Sequence, residues 1–361
     1  YAPPGIARGP AFAYTSSGKK SLCIDIADPE GRAMIEALVP FVDIVIQNFT
    51  PGTMEKLGLD YTRLRSLNPG LIMCSVSGFG QDGPWREVRA VDPAMQGWTG
   101  VASMIGEPDA VPYLDRTAPC DTMTATQAAL AMNAALFHRA QTGVGQHVDV
   151  SLMDTVLAMD SVIFPAVVAT GGQYRPERAG RFHPLGDVAT VRGPDHYFVV
   201  GISGSGPSSS WARIADAMGR PELVDEARFA DDAARLRHRA ELLPLLDGWL
   251  GALADDDAAV AALARAGLDG APILTPLEAI GQLQVQARAM IRDVRQPDGS
   301  LLRTPATPYH FSDHPVTVGA APRVGEHNEE ILHTYLAYSH ERIGELFHRG
   351  LLFDDRGAER R

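Results

Sequence analysis

Cysteine is scarce in this chain, with Cys23, Cys74 and Cys120 the only three among 361 residues. No two of them form a C-x-x-C pair, so neither a disulfide framework nor a cysteine zinc site is indicated. Scattered thiols fit a reducing, cytoplasmic compartment. Long apolar runs are missing too, and none approaches the ~20 residues that span a bilayer. The chain opens Tyr1-Ala2-Pro3-Pro4, without Met and without a leader pattern, which reads as a fragment or an unusual start. Positive charge is in deficit: 32 Lys and Arg stand against 44 Asp and Glu, a formal net charge of −12. That argues against nucleic acid or an anionic membrane as the main partner, while leaving room for a local basic pocket that takes a phosphorylated ligand. There is no G-x-S-x-G elbow and no internal repeat. No metal site is expected.

What is present is ordinary for a soluble globular protein: 45% hydrophobic and 21% charged residues, and enough chain for two domains. Tyr1–Gly18 is rich in Gly, Pro and Ser and reads as loop. Ser21–Ile26 reads as a short strand. Asp28-Pro29-Glu30 opens a helix, with Pro at its first position and an acid in its first turn. Val42–Gln47 and Leu71–Val76 are apolar, β-branched runs of the buried-strand type, with a helix from about Thr53 between them. Alternation of strand and helix predicts a parallel sheet with helices on its faces, and ligands then lie beyond the strand carboxyl ends. Asn48-Phe49 and Ser77-Gly78-Phe79-Gly80 stand at those ends.

The stretch that organises the rest is Ala118–Asp149. Pro119 breaks the preceding chain, and Asp121 sits where a helix N-cap belongs, ahead of a long Ala/Leu/Met run. Thr142-Gly143-Val144-Gly145 is a turn, His147–Leu152 a strand, and Met153 opens another helix. A capping carboxylate is one reading of Asp121, worth about 1 kcal/mol. The other is a nucleophile: a carboxylate at the positive end of a helix stays ionised at neutral pH and can hold an acyl group as a mixed anhydride. Local physics does not separate the two. Cys120 beside it reads as a small packing residue.

Beyond residue 170 the texture changes. Gly171–Gly193 looks like a linker, and a second unit follows. It has a strand at Tyr197–Gly201 and helices at Trp211–Met218, Ala234–Leu253, Ala258–Ala266 and Pro276–Met290. Ser300–Tyr309 reads as extended chain, and Asn328–Gly350 as two amphipathic helices. Asp255-Asp256-Asp257 reads as a solvated helix start. Gly201–Ser208 nearly matches a phosphate-binding loop, but Pro207 occupies the lysine position and has neither the cation nor the N–H that phosphate requires. It reads as a plain strand–helix connection.

Taken together the motifs resemble a known family. Gly18-Lys19-Lys20-Ser21-Leu22, Asp28-Pro29-Glu30-Gly31, Asp43-Ile44-Val45, Asn48-Phe49-Thr50-Pro51-Gly52, Leu67-Asn68-Pro69 and Ser75-Val76-Ser77-Gly78-Phe79-Gly80 follow its pattern in order. So do Asp92 with Gln96, Asp121, Thr142-Gly143-Val144-Gly145-Gln146 and Gly325-Glu326-His327. The chain is similar to the class III coenzyme A transferases, whose relatives include formyl-CoA and carnitine-CoA transferases and α-methylacyl-CoA racemases. The resemblance implies an α/β fold: a Rossmann-like parallel-sheet large domain (residues 1–170), a smaller α/β domain (180–285), and a C-terminal return to the large domain (291–361). It also implies an interlaced homodimer.

It further implies acyl-CoA:carboxylate CoA transfer, with coenzyme A or acyl-CoA as substrate and a carboxylate as acceptor, without metal. Asp121 falls on the catalytic aspartate and Asp92 on a second acidic site position. Asn48, Phe49, Lys56, Arg89 and Leu152 match positions near CoA, Arg89 against adenine. On sequence alone Lys56 and Arg89 are otherwise plain surface charges. Racemase relatives carry a histidine just before the acid that aligns with Asp92. Here that place is Val91, which implies transfer, with racemisation and a non-catalytic CoA-binding paralogue as the alternatives. His183, in the short Gly180–Pro184 counterpart of a site-covering loop, is the histidine to watch. Family members also carry a strand and helix ahead of where this sequence starts, so either the chain is truncated or its pocket is incomplete.

Overall fold

The two β-branched runs become neighbouring strands in the computed structural model, which describes residues 9–355. β1 (Ile44–Gln47) and β2 (Ile72–Ser77) pair in parallel, Ile44 opposite Ile72, and β3 (His147–Ser151) lies beyond β2. Two short helices, Thr53–Lys56 and Tyr61–Leu67, make the crossover a parallel pair requires. β2 is the central strand, and Leu71, Ile72, Met73 and Cys74 are buried. β1 departs from the buried pattern: Ile46 is 58% exposed at the sheet edge. A second sheet has the order β4 (Val188–Arg192), β5 (Tyr197–Gly201), β6 (Gly270–Pro272) and is antiparallel throughout. A hairpin of β7 (Ile291–Arg295) and β8 (Leu301–Pro305) follows.

The chain divides into two compact units. The first comprises Tyr1–Ser77, Ala128–Asp149 and Pro276–Arg361; the second comprises Gly78–Gln127 and Val150–Thr275. In the first, Val39, Leu59, Leu64, Leu71 and Met73 pack together, and Met34, Leu332, Ile343 and Leu346 form another cluster. In the second, the inward residues of β4 and β5 (Ala189, Val191, Phe198, Val200) meet Trp211, Phe229, Leu242, Leu246 and Leu250. Alternate exposure along β5 is what a sheet covered on one face requires. Asp28 accepts from the Glu30 amide at 2.7 Å and caps the helix Pro29–Leu38.

Several expectations need correction. The Gly/Pro/Ser-rich start holds a short helix, Pro10–Thr15, with Pro at its first position; residues 1–8 of that segment lie outside the described residues. Ser21–Ile26 is no strand: a single bridge, Ile24 to Leu352, is all its neighbour offers. Gly171–Gly193 is more than linker, since it contains β4 and the buried Phe182. The stretch Ala234–Leu253 breaks at His238 between two helices, and Pro276–Met290 is two helices, Pro276–Ile280 and Leu283–Ala287. Within the acidic run, Asp255 caps its helix, and Asp256 is not simply solvated: its carboxylate meets His196 Nδ1 at 2.6 Å.

Gly145 follows the turn that ends the long helix Pro119–Thr142, and its amide donates to the Pro69 carbonyl at 3.1 Å. A Cβ there would fall 1.9 Å from the Leu71 carbonyl oxygen. Backbone would have to move to admit it. Gly145→Ala should therefore lower unfolding free energy by about 1–3 kcal/mol. A denaturant midpoint unchanged from wild type would show that the approach is not tight.

Candidate active site

Pro119 sets the geometry around Asp121. Proline is favoured at the first position of a helix, where its missing N–H costs nothing. The helix Pro119–Thr142 accordingly starts three residues earlier than expected, and Asp121 is its third residue, in the first turn, not its cap. Ala118 precedes the helix with φ +54°, a left-handed conformation uncommon for alanine, and has no side-chain oxygen to offer the free amides. The partner comes from elsewhere: the Asp121 amide donates to Asp92 Oδ2 at 3.1 Å, 29 residues upstream.

Asp92 opens a helix of its own, Asp92–Trp98, and is 4% exposed. Gln96, one turn on, is fully buried. Its Nε2 donates to Asp92 Oδ1 at 2.6 Å and to the Asp115 carbonyl at 2.8 Å, while its Oε1 accepts from the Asp115 amide at 2.9 Å. The Asp115 carboxylate is occupied by Thr117, whose amide and hydroxyl donate to it at 2.7 and 2.6 Å. Just ahead of this helix the chain passes close to Gly78, where a Cβ would fall 2.2 Å from that of Ala90. The Gly78 carbonyl in turn accepts from the Met153 amide at 3.1 Å.

The carboxyl of Asp121 is raised above the ordinary carboxylate range, first because nearby protein displaces its water and second because Asp92 repels its charge. This reverses the shift expected of a capping carboxylate. Asp121 is nonetheless solvent-accessible. Cys120 is 1% exposed, and burial, then the two aspartates, push its thiol up to about 11. It stays protonated at neutral pH and is no nucleophile. Burial likewise raises Cys74.

The remaining expected residues divide between the units. Asn48, Phe49 and Lys56 belong to the first, at or just beyond the carboxyl end of β1; all three are exposed, and the Phe49 amide donates to Gln47 Oε1 at 2.7 Å. Arg89 and Leu152 belong to the second with Asp92 and Asp121. Arg89 is exposed, whereas Leu152 is 7% exposed at the start of the helix Leu152–Met159. Neither Lys56 nor Arg89 has an acidic partner among the described residues, so both cations are free for an anionic ligand. His183 is bonded to Asp187 at 2.8 Å. A cleft of about 600 Å³ in the second unit, lined by Arg192, His196, Tyr197 and Asp247, contains none of the expected site residues.

Two features escaped the sequence reading. Gly78-Phe79-Gly80-Gln81-Asp82-Gly83 has G-x-G-x-x-G spacing directly after β2, but irregular chain follows it and no helix N-terminus is available for a pyrophosphate. Gln96 and Asp115 were not recognised as a bridge, although Asp and Gln at i and i+4 on one helix face are a readable signal. His310 and His314 are also four apart, on non-helical chain where that spacing puts no two side chains on one face. Among the described residues no group of three His, Cys, Asp or Glu could hold a metal ion, and no single helix is long and apolar enough to cross a membrane.

Since part of the upward shift of Asp121 comes from Asp92, Asp92→Asn should bring its titration midpoint down toward the ordinary carboxylate value. Carbon-detected NMR of the Asp121 carboxyl reads this directly. The raised value favours the protonated form on folding, so the associated cost is fully present above the folded midpoint and disappears as pH falls below the ordinary value. A midpoint that does not move in Asp92→Asn would show that burial alone sets it.

The chain matches the model of CoA-transferase family III over residues 2–328. It is 34% identical over 331 residues to a succinyl-CoA–D-citramalate CoA-transferase of Chloroflexus aurantiacus, covering 91% of this chain and 81% of that protein. It is 32% identical to a succinate–glutarate CoA-transferase of Agrobacterium fabrum, covering 88% and 78%. The crystal structure of a CAIB/BAIF family protein from Brucella suis superposes with a TM-score of 0.77 at 32% identity, covering 93% of this chain and 86% of that one. With this fold, this helix start and these relatives, the chain belongs to CoA-transferase family III.

Proposed function

We propose that this CoA-transferase moves coenzyme A between carboxylates by covalent catalysis at Asp121. The observation that carries the reading is the placing of Asp121 in the first turn of its helix, its amide on the Asp92 carboxylate and its own carboxylate repelled by the same group. Repulsion makes Asp121 a better nucleophile than a relaxed surface aspartate, and acylation removes its charge and with it the repulsion.

The steps balance without a proton. An Asp121 carboxylate oxygen attacks the thioester carbon; the C–S bond breaks, CoA leaves as thiolate, and a mixed anhydride remains. The thiolate attacks the Asp121 carbonyl carbon, releasing the donor as its carboxylate and leaving an aspartyl–CoA thioester. The acceptor carboxylate repeats the sequence in reverse and departs as its CoA thioester. No acid–base pair is called for, in keeping with Val91 beside Asp92.

CoA binding falls to Asn48 and Phe49 past β1, to Leu152, and to Lys56 and Arg89, whose unpaired charges suit phosphate in a protein that is otherwise acidic. The acceptor is a small dicarboxylic acid, a reading supported by the names of the two relatives. The active assembly is an interlaced homodimer. Exposed Leu130 and Phe137, at 62% and 68%, support a partner on the long helix.

Asp121→Asn keeps the shape and removes the nucleophile. It should lower transfer from succinyl-CoA to a dicarboxylate by roughly 10⁴-fold or more, with a thermal midpoint equal to or above wild type because the repulsion is gone. Turnover within a few-fold of wild type in the folded variant would remove Asp121 from the chemistry.

A further inference from the structure

We infer that Gln96 is a positioning residue for transfer: acting through Asp92, it fixes the backbone from which Asp121 attacks. The inference rests on Asp121 being the nucleophile.

Gln96 is fully buried in the second unit and uses its whole amide. Both Nε2 protons are donated, one to Asp92 Oδ1 and one to the Asp115 carbonyl, and Oε1 accepts from the Asp115 amide. One side chain thus holds two things. It orients the Asp92 carboxylate so that the other oxygen, Oδ2, meets the Asp121 amide at 3.1 Å. It also grips the backbone of Asp115, three residues ahead of Ala118, where the chain enters the helix. Gln96 touches no reacting atom; everything it does for Asp121 passes through Asp92 or through the helix entry.

Nothing local replaces this arrangement. Ala118 cannot cap, and Pro119 has no amide to anchor. Without Gln96, the Asp92 carboxylate is left to the Cys120 thiol and the Asp121 amide, and that amide loses a firmly oriented acceptor. The chemistry tolerates little of this, since displacement of a reacting group by an ångström costs about 10²-fold in rate. A glutamate at this position keeps an acceptor for the Asp115 amide but has no N–H for Asp92. A methionine keeps volume and loses all three bonds.

The test is a kinetic double-mutant cycle on the full chain, with Gln96→Met and Gln96→Glu each made in wild-type and Asp92→Ala backgrounds. Succinyl-CoA is the donor and a dicarboxylate the acceptor. In the wild-type background each Gln96 variant should lose about 10²-fold in kcat, with the acyl-CoA KM within about twofold. In the Asp92→Ala background Gln96→Glu, which keeps the bond from the Asp115 amide, should cost little more, because the path through Asp92 is already cut, whereas Gln96→Met retains the part of its loss that passes through the helix entry. Gln96→Glu, which preserves volume and one bond, keeps the cycle readable if Gln96→Met melts below the assay temperature. Equal losses for Gln96→Glu in both backgrounds, or a change confined to KM, would overturn the inference and leave Gln96 a packing residue. Asp121→Asn, run alongside, separates the two questions: an active Asp121→Asn removes the nucleophile, whereas an inactive one with additive Gln96 effects removes only the relay.

Discussion

One hydrogen bond organises this site: the amide of Asp121 to the carboxylate of Asp92. A helix start leaves backbone N–H groups without partners, and sequences usually supply a polar side chain at the cap. Here the cap position holds Ala118 in a left-handed conformation, and proline follows it. The missing acceptor arrives from a second helix that begins at Asp92, just after Ala90 passes close to Gly78, where only hydrogen fits.

The same carboxylate acts on Asp121 in two opposite ways. It attracts the backbone amide and repels the side-chain charge, so Asp121 is held firmly and kept electrostatically uncomfortable. Reactions that turn the Asp121 carboxylate into a neutral acyl derivative relieve that discomfort, and hydrolysis or back-transfer restores it. Partial removal of water raises the carboxyl further while leaving it open to ligand. The neighbouring thiol is silenced by the same environment, since burial and the two anions keep Cys120 protonated. A single acidic cluster thereby raises both adjacent side chains, the Asp121 carboxyl and the Cys120 thiol.

Much of this was legible in the sequence, wherever the cause is local. The β-branched runs around Val45 and Met73 are strands, Asp28-Pro29-Glu30 opens a helix, and Thr142-Gly143 closes one, because propensity, caps and turns act over a few residues. The family pattern placed the chain, and Asp121 stands in the first turn of the long helix the sequence predicts. What stayed hidden depends on distant contacts. The reversal of the Asp121 titration and the Gln96 bridge both follow from Asp92 and Asp115 arriving from other parts of the chain. β4 was lost in a Gly/Pro/Arg-rich stretch whose strand exists only because β5 pairs with it. Ile46, expected to be buried, is exposed because burial of a strand is decided by its neighbours and not by its own composition.

The most direct test of covalent transfer at Asp121 follows oxygen atoms. An acceptor carboxylate labelled with heavy oxygen is incubated with the protein and an acyl-CoA donor, and the peptide carrying Asp121 is then isolated and weighed. In the steps derived above, the acceptor leaves one of its own oxygens on the Asp121 carboxylate when thiolate takes its acyl group. Heavy oxygen in the Asp121 side chain, dependent on the presence of both substrates, is the predicted result. Turnover that leaves this peptide unlabelled would contradict it, because acyl transfer would then bypass the aspartate.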